Sequence, residues 1–418
     1  MGTGIVQALI NAGHHVTICV LVEPEFIRPK HVPQLSEFKA ANVSIVEIPV
    51  PAREPNRLSG WRRLMHRIRV LTRPSHTDFH PLAKQSHVLA ETLTGIQPDV
   101  IVVFQVIEVL YGVQSAPKMA LLGAMEHLTL LYWLRLQATW RTPIRTMMGC
   151  VRALLVRRWN IHMLGDYQRV GVLGAQDTVW LRRRGVTNAL YLPAPIVDPG
   201  ESLWKHRYQK RPSGTKWKII MVGHVQALPT LSGLYFFAEH VLPRLEQVLD
   251  PETFEVHIIG RYLLPKKLAI DFARPSIRLR GFVEDIASEF LSADILLVPT
   301  PIDFSIRVRI SVGFSFGCCV VAHQANAPGM AELIHDYNIL MGADGESLVA
   351  QIVRALRDDE LRERLGCNAR RTYEEHFSLE EAGKKLLKVL GEIAFDKAEG
   401  LTGPQAATGG NLSPSSKG

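Results

Sequence analysis

Short runs of β-branched and other apolar residues alternate with segments of helical period along most of this chain. VTICVLV at residues 16–22, VIVVF at 100–104 and ILLV at 295–298 are runs of this kind, and segments with one apolar face stand between such runs. Strands that alternate with helices predict parallel sheets whose crossover connections are helices. We therefore expect an α/β protein, and the alternation occurs in two blocks.

A segment rich in proline and charge separates the two blocks. It opens with PAP at 193–195 and runs to Gly214, and this composition is typical of a linker. The 418 residues also exceed what one ordinary core supports. We predict a domain at 1–195, a second domain at 196–395, and a disordered tail at 396–418 that is rich in Gly, Ser, Pro and Ala. Ligands of such sheets bind at strand carboxyl ends, so the cleft between the domains is the expected site.

The composition excludes several classes of protein. With 47% hydrophobic and 21% charged residues, the chain is typical of a soluble globular protein rather than a disordered one. Its five cysteines lack the spacing of metal sites, which favours reduced thiols. Neither a spanning apolar run nor a signal peptide is present, which predicts a cytoplasmic protein. The net charge of +8 favours acidic partners such as phosphorylated small molecules, anionic lipids or nucleic acid.

Residues 53–73 form the most basic segment, with seven arginines against one glutamate. Trp61, Leu64, Ile68 and Leu71 fall on one face of a helix drawn through the segment. A basic amphipathic helix with a tryptophan can lie on an anionic membrane, which predicts peripheral contact with the inner face. A solvated basic face above a core stripe explains the same pattern.

Residues 303–322 join a helix pattern to a short apolar run. Asp303 and Ser305 are able to cap the start of a helix, and Gly317 stands where a left-handed residue would end it. Arg307 and Arg309 would then lie in the first turn, beside free backbone N–H groups that favour an anion. A solvated basic helix start is the alternative.

The chain begins with a glycine-bearing segment. Gly2, Thr3 and Gly4 precede a helix predicted at 5–12, and such a loop lets a phosphate or sugar approach the backbone. A floppy terminus is the alternative. An α/β domain normally places a strand before this loop, so we expect the first strand of the first domain to be missing, either because the start codon is misplaced or because the strand is absent.

The motifs of the second block resemble, in order and spacing, the C-terminal domain of GT-B glycosyltransferases, especially the family-4 class of retaining enzymes. They are MVGHVQALPTLSGLYFFAEHVLPRL at 221–245, IIGR at 258–261, RGFVED at 280–285, SADILLVPT at 292–300, the segment around Arg307, ELIHDYNILM at 332–341 and LRERLGCNARRTYEEHFS at 361–378. The first block is similar more loosely, through INAGHHVTICVL at 10–21 and VGVLGAQDTVWLRRRGV at 170–186.

This resemblance implies two Rossmann-like domains that face a cleft, with the acceptor on the first domain. It implies retaining transfer of a sugar from a nucleotide-diphosphate sugar to a hydroxyl of a carbohydrate or lipid-linked acceptor, in glycan, glycolipid or polysaccharide biosynthesis. No cofactor is expected beyond the donor substrate, and nucleic acid is not an expected partner. The sequence contains no Asp-x-Asp, so no metal site is predicted.

The resemblance also implies roles for residues of the second domain. Arg307 and Arg309 would bind the diphosphate and stabilise its developing charge. Gly223, with His224 beside it, would allow close approach of the donor. The other implied contacts are Phe282 and Val283, which would border the base, and Glu332, which would bind sugar hydroxyls. Taken alone, Phe282 and Val283 could equally form a packed turn, and Glu332 an acid near a helix start.

In the first domain, we place only one histidine at a strand carboxyl end next to an acid. His127 follows Glu126 there and could accept the proton of the acceptor hydroxyl or bind the sugar. A structural histidine explains its position as well.

The family pattern is broken at several positions, which include both of its glutamates, the small residue before its arginine (Ile306 here) and its asparagine-glycine linker (PAPIVD at 193–198 here). Val312 stands where the family has a glutamate that is expected to bind the donor ribose, and Phe304 stands where the first glutamate of an E-x7-E pair would fall. The active enzyme therefore has an alternative, a non-catalytic GT-B relative that binds a carbohydrate or a partner. A basic protein of nucleic acid or membrane surfaces, supported by charge alone, is a third hypothesis.

Overall fold

The computed structural model describes residues 2–22, 43–49, 86–105, 107–110, 113–137, 143–200, 204–205, 214–225, 227–261 and 264–399. Both interpretations of the basic segment at 53–73 stay predictions, because that segment lies outside these ranges. Within them, no helix is both long and apolar enough to cross a bilayer.

The first block forms two parallel sheets. One pairs β1 with β2, and the other has the strand order β3-β4-β5-β6. The elements are α1 Gly2–Asn11, β1 Val16–Val22, β2 Val43–Pro49, α2 Ser86–Ile96, β3 Ile101–Phe104, a 3-10 helix Ile107–Leu110, β4 Lys118–Leu122, α3 Glu126–Gln137, α4 Pro143–Leu164, β5 Arg169–Val172, α5 Ala175–Arg182 and β6 Ala189–Tyr191.

The second block forms one parallel sheet of six strands, in the order β12-β11-β10-β7-β8-β9. The elements are β7 Trp217–Val222, α6 Leu228–Phe236, a π-helical turn Phe237–Val241, α7 Leu242–Val248, β8 Phe254–Ile259, α8 Lys266–Asp271, β9 Ile277–Gly281, α9 Ile286–Ser292, β10 Ile295–Val298, α10 Val308–Ser315, β11 Val320–His323, a 3-10 helix Gln324–Gly329, β12 Leu340–Gly342, α11 Gly345–Arg357, α12 Asp359–Thr372, a π-helical turn Tyr373–Phe377 and α13 Leu379–Ala398. After β9 the chain crosses to the other side of β7, so the crevice at the carboxyl ends of β7 and β10 is the topological switch point where ligands of such sheets bind.

These sheets confirm the predicted α/β class with parallel strands in both blocks. The division at residue 195 stays a prediction. Helix α13 belongs to the second block in sequence but packs against the first block. Helix α13 packs on α1 where Gly383 meets Ala8, and Asp396 pairs with Arg169 at 3.7 Å. Because α13 continues to Ala398, the prediction of disorder from residue 396 is wrong for the first residues of that segment, and 400–418 lies outside the described residues.

The prediction of a loop at Gly2, Thr3 and Gly4 is wrong, because all three residues lie in α1. A Cβ atom on Gly4 would overlap the carbonyl oxygen of Pro195. The glycine therefore lets α1 pack closely on the backbone of the segment after β6, and this contact, rather than an approaching ligand, uses its lack of a side chain. Among the described residues, the first strand is β1, which follows α1.

The helix predicted to begin near Ser305 begins later. Arg307 is the N-cap residue of α10 and makes no side-chain capping bond. Ser305 cannot cap, because its hydroxyl donates to the carbonyl of Gly123 in the first domain and its φ is +62°. Only Arg309 lies in the first turn. The predicted end is confirmed, since Gly317 follows the helix with φ +61°.

Candidate active site

The carboxyl edge of β7 and β10 is built around a close approach at Gly223. This residue follows β7 with φ +155°, a conformation that favours glycine. A Cβ atom there would lie 2.6 Å from Thr230 Oγ1 and 2.8 Å from Arg309 Nη1. A cavity of about 10 Å³ between these residues shows that the protein itself leaves little free space below the edge. A side chain at position 223 would therefore force Thr230 or the Arg309 guanidinium to move.

Arg309 brings a positive charge to this edge. Its Nη1 donates to the carbonyl of Val222, the last residue of β7, at 2.8 Å. Burial lowers the pKa of Arg309 to about 10, so the guanidinium is charged at neutral pH. The free N–H groups at the start of α10 add to the positive potential. A guanidinium and a helix start at one strand edge are the donors that a phosphate group prefers.

Arg307 points elsewhere. It is 3% exposed and donates to the carbonyls of Ile302, Phe304 and Ile306 at 3.0, 3.2 and 2.9 Å. Burial, and next the charge of Arg309, lowers the pKa of Arg307 to about 9. These contacts make Arg307 a residue that holds the 302–306 loop in shape. Its direct contact with a diphosphate stays a prediction.

The 302–306 loop, which belongs to the second domain, contacts the first domain. Ser305 N donates to Asp177 Oδ2 at 2.9 Å, and the Ser305 hydroxyl donates to Gly123 O. Phe304 is buried, and its ring centroid lies 6.3 Å from that of Tyr132 on α3. At the position where the family has its first glutamate, Phe304 therefore makes an apolar contact with the first domain.

Glu332 is a second contact between the domains. Tyr191, the last residue of β6, donates its hydroxyl to both carboxylate oxygens of Glu332 at 3.0 and 2.9 Å. Glu332 lies in a turn, so its alternative interpretation as an acid near a helix start is wrong. Each carboxylate oxygen has a further lone pair, so the predicted role toward sugar hydroxyls stays chemically open.

Phe282 and its neighbours border the edge on the side of β9. The Phe282 side chain is 59% exposed, and the guanidinium carbon of Arg261 lies 4.3 Å from its ring centroid. Val283 is half-buried against the core, and His224 is exposed beside Gly223. An exposed aromatic ring beside a guanidinium offers flat surfaces on which a base can stack. The roles of Phe282, Val283 and His224 stay predictions.

His127 is buried in the first turn of α3. The side chain is 2% exposed and its ring centroid lies 4.8 Å from the Trp180 ring. Burial, and next the charges of Arg157 and Arg184, lowers the pKa of His127 to about 4. Neither ring nitrogen has a hydrogen-bond partner within the described part of the chain. Its catalytic role stays a prediction that this burial disfavours.

The burial of His127 predicts how stability depends on pH. In the unfolded chain its pKa is near 6.5, so between pH 6.5 and 4 the unfolded state binds a proton that the folded state excludes. Stability should therefore fall as pH drops through this window. We expect His127→Phe to remove a part of that loss on the order of 2–3 kcal/mol, in urea unfolding at pH 7 and pH 4.5. His87→Phe, at an exposed position on α2, is the control. Equal pH dependence in both variants would contradict the assigned burial.

The contacts that Tyr191, Asp177 and Ser305 make at the domain junction were not predicted from the sequence. Burial raises the pKa of Asp177 to about 6, while the Ser305 N–H and the charge of Arg307 oppose the rise. Asp177 stands inside the segment at 170–186 that resembles the family, which is the one signal that could have directed attention to it. Nothing in the local sequence predicts the other two contacts.

Residues 216–358 match the family model described as Glycosyl transferases group 1. This part of the chain is similar to glycosyl transferases group 1, and we call it the group 1 domain. The group 1 domain contains Gly223, Arg309 and Glu332, and thus the whole edge described above. Comparison with curated proteins found no match.

Solved structures extend the similarity to the whole chain. The Anabaena protein HepE in complex with UDP and glucose has a TM-score of 0.63 at 12% identity, over 94% of this chain and 96% of that one. Sucrose-phosphate synthase from Thermosynechococcus elongatus has a TM-score of 0.63 at 13% identity, over 95% and 92%. A glycosyltransferase from Rickettsia africae has a TM-score of 0.61 at 13% identity, over 93% and 94%. The chain therefore has the GT-B fold, and the segment that matches the family model lies in its second half.

Proposed function

We propose that this protein transfers a sugar from a nucleotide-diphosphate sugar to an acceptor hydroxyl. The observation that carries the proposal is the position of Arg309. Its guanidinium and the start of α10 meet Gly223 at the switch point of the group 1 domain. The similar HepE structure contains UDP and glucose, which supports the same donor class here.

The proposed chemistry is departure of a nucleoside diphosphate as the C1–O bond of the sugar breaks. Negative charge develops on the leaving phosphate oxygen, and fixed donors at that point lower the barrier. Arg309 and the α10 N–H groups supply these donors. Arg307 keeps the adjoining loop in place and adds a second positive charge to the local field, which is stronger in a dry cleft than in water.

The remaining donor contacts follow from the same geometry. We assign Glu332 to the sugar hydroxyls, and Phe282 and Val283 to the base, with His224 next to the phosphates. No cluster of three metal-ligating side chains occurs among the residues that the structure describes. We propose metal-independent transfer with retention, a carbohydrate or lipid-linked acceptor, and a role in glycan biosynthesis, on the family resemblance.

Val312 provides the test that separates an active enzyme from a non-catalytic relative. The residue is half-buried on α10 and packs against the core. If the donor ribose lies beside it, Val312→Glu should strengthen donor binding and raise kcat/KM about ten- to a hundredfold, because a hydrogen bond to a charged group contributes roughly 1.5–3 kcal/mol. Calorimetry with UDP and assays of UDP-glucose hydrolysis measure the effect, and Val312→Gln is the uncharged control.

The binding-module alternative has one specific observation in its favour. Phe304 takes part in an apolar contact with the first domain at a position where the family has a carboxylate. If the pocket no longer binds a donor, the carboxylate of Val312→Glu would be buried without a partner and would lower the melting temperature. Loss of stability without gained hydrolysis would favour this alternative over the enzyme.

A further inference from the structure

The first domain contains a cavity of about 300 Å³ that the donor edge does not use. It lies at the carboxyl ends of β3 and β4, between the 3-10 helix that follows β3 and helices α3 and α4. Its polar lining consists of Gln105, Glu108, Glu126, Thr129 and Asn160, and the rest of the wall is apolar. This volume is at the lower end of the range for small-molecule sites and accommodates a single sugar ring.

The cavity lies next to the contact with the group 1 domain. Gly123 directly precedes Ala124, which lines the cavity, and the Gly123 carbonyl accepts the Ser305 hydroxyl of the 302–306 loop. Gln105 has φ +69°, and in its hydrogen-bonded orientation its side-chain oxygen accepts from Gly123 N at 2.7 Å. Gly123 thus contacts both Gln105 in the wall of the cavity and Ser305 in the group 1 domain.

The polar groups of the wall include several hydrogen-bond acceptors. Asn160 is 6% exposed, and its Oδ1 has no partner within the described residues. A buried carbonyl oxygen without a donor is unfavourable unless a ligand supplies one. The Thr129 hydroxyl donates to Met125 O at 3.3 Å, so its lone pairs are left to accept. A ligand in the cavity would therefore have to donate hydrogen bonds to Asn160 Oδ1, to the Thr129 hydroxyl and to the carboxyl groups of Glu108 and Glu126.

The charge of the wall is negative. Glu108 is 2% exposed, and burial raises its pKa to about 7, with the nearby Glu126 carboxylate adding to the rise. Among the described residues that line the cavity, none is a lysine, arginine or histidine. A phosphate or carboxylate placed here would be repelled, whereas an ammonium group would be attracted to both carboxyl groups.

We propose that this cavity binds a hydroxylated group that carries a free amine, such as an amino sugar, and that it rejects phosphorylated sugars. The cavity lies in the first domain and the donor edge in the second, so this group would be the acceptor of the sugar. That assignment rests on the proposed function. The binding site itself is inferred from the wall alone.

The test uses the full-length protein and three probes, which are glucosamine, glucose and glucose 6-phosphate, in saturation-transfer NMR and calorimetry. We expect glucosamine to bind most tightly, glucose at least tenfold more weakly, and glucose 6-phosphate not to bind. Glu108→Gln and Asn160→Leu should each weaken glucosamine binding at least tenfold. Asn160→Leu also removes an unpartnered buried oxygen, so its melting temperature should not fall. Glu91→Gln, at an exposed glutamate on α2, is the control.

The inference is overturned if glucose 6-phosphate binds as tightly as glucosamine, if no probe binds, or if both variants bind glucosamine like the unaltered protein. Hydrolysis of UDP-glucose by the unaltered protein is measured separately. If hydrolysis is absent while glucosamine binding still depends on Glu108 and Asn160, the proposed function fails and the amine site stands.

Discussion

Arg309→Met is expected to weaken UDP binding by a factor of about 30 to several thousand. The guanidinium lies at the start of α10, in a site with little free space, and losing one partner of a desolvated charge-assisted contact costs on the order of 2–5 kcal/mol. Calorimetry with UDP, ADP and GDP measures the loss. Arg244→Met is a matched control, because Arg244 also donates to a backbone carbonyl, His240 O at 2.8 Å, from an exposed position on α7.

The neighbouring arginine should behave differently. Arg307→Met leaves the carbonyls of Ile302, Phe304 and Ile306 without their common donor, so we expect the melting temperature to fall as well as the affinity. The double variant should lose donor binding altogether. Unchanged affinity for all three nucleotides in Arg309→Met would contradict the assignment of the diphosphate to this edge.

Gly329→Ala is expected to destabilise the protein by about 1–3 kcal/mol or more, since a Cβ atom there would overlap the Ser305 carbonyl oxygen and the backbone cannot rotate away as a side chain can. Guanidinium unfolding measures the change. Gly391→Ala is the control, because this glycine lies inside α13 with open space around its Cβ position. There the same substitution should stabilise the helix by about 0.5–1 kcal/mol.

The two glycine variants should therefore change the free energy of unfolding in opposite directions. A neutral Gly329→Ala would show that the 302–306 loop moves away from Gly329 at no cost, and the contact between Ser305 and Gly329 would then not fix the position of the 302–306 loop.

The parts of the fold that depend on local patterns were predictable from the sequence. Strands β1 and β10 coincide with the runs identified at residues 16–22 and 295–298, because each is a continuous run of β-branched and other apolar residues. The end of α10 was predictable because a left-handed glycine is a local signal. The position of Arg309 beside Gly223 also follows, because parallel strands bring their carboxyl ends to one edge.

The parts that depend on distant residues were not predictable. Ser305 could cap a helix in isolation, but its hydroxyl is used by Gly123, 182 positions earlier in the chain. Tyr191 and Glu332 are 141 positions apart, and neither has a local feature that indicates the other. The burial of His127 against Trp180 and the unpartnered oxygen of Asn160 likewise result from tertiary packing that a single sequence does not reveal.

The packing of α13 on α1 has a consequence for the time at which the protein completes its fold. Ile5 and Ala8 are buried in the folded protein, and Ala8 meets Gly383 of α13, which follows all the other described elements in the chain. Domains generally begin to fold as they emerge from the ribosome, N-terminal part first. The apolar surface of α1 therefore stays uncovered until Gly383, 375 positions after Ala8, has been translated. Helix α1 is thus buried long after it is synthesised, and removal of α13 should harm the packing of α1 first.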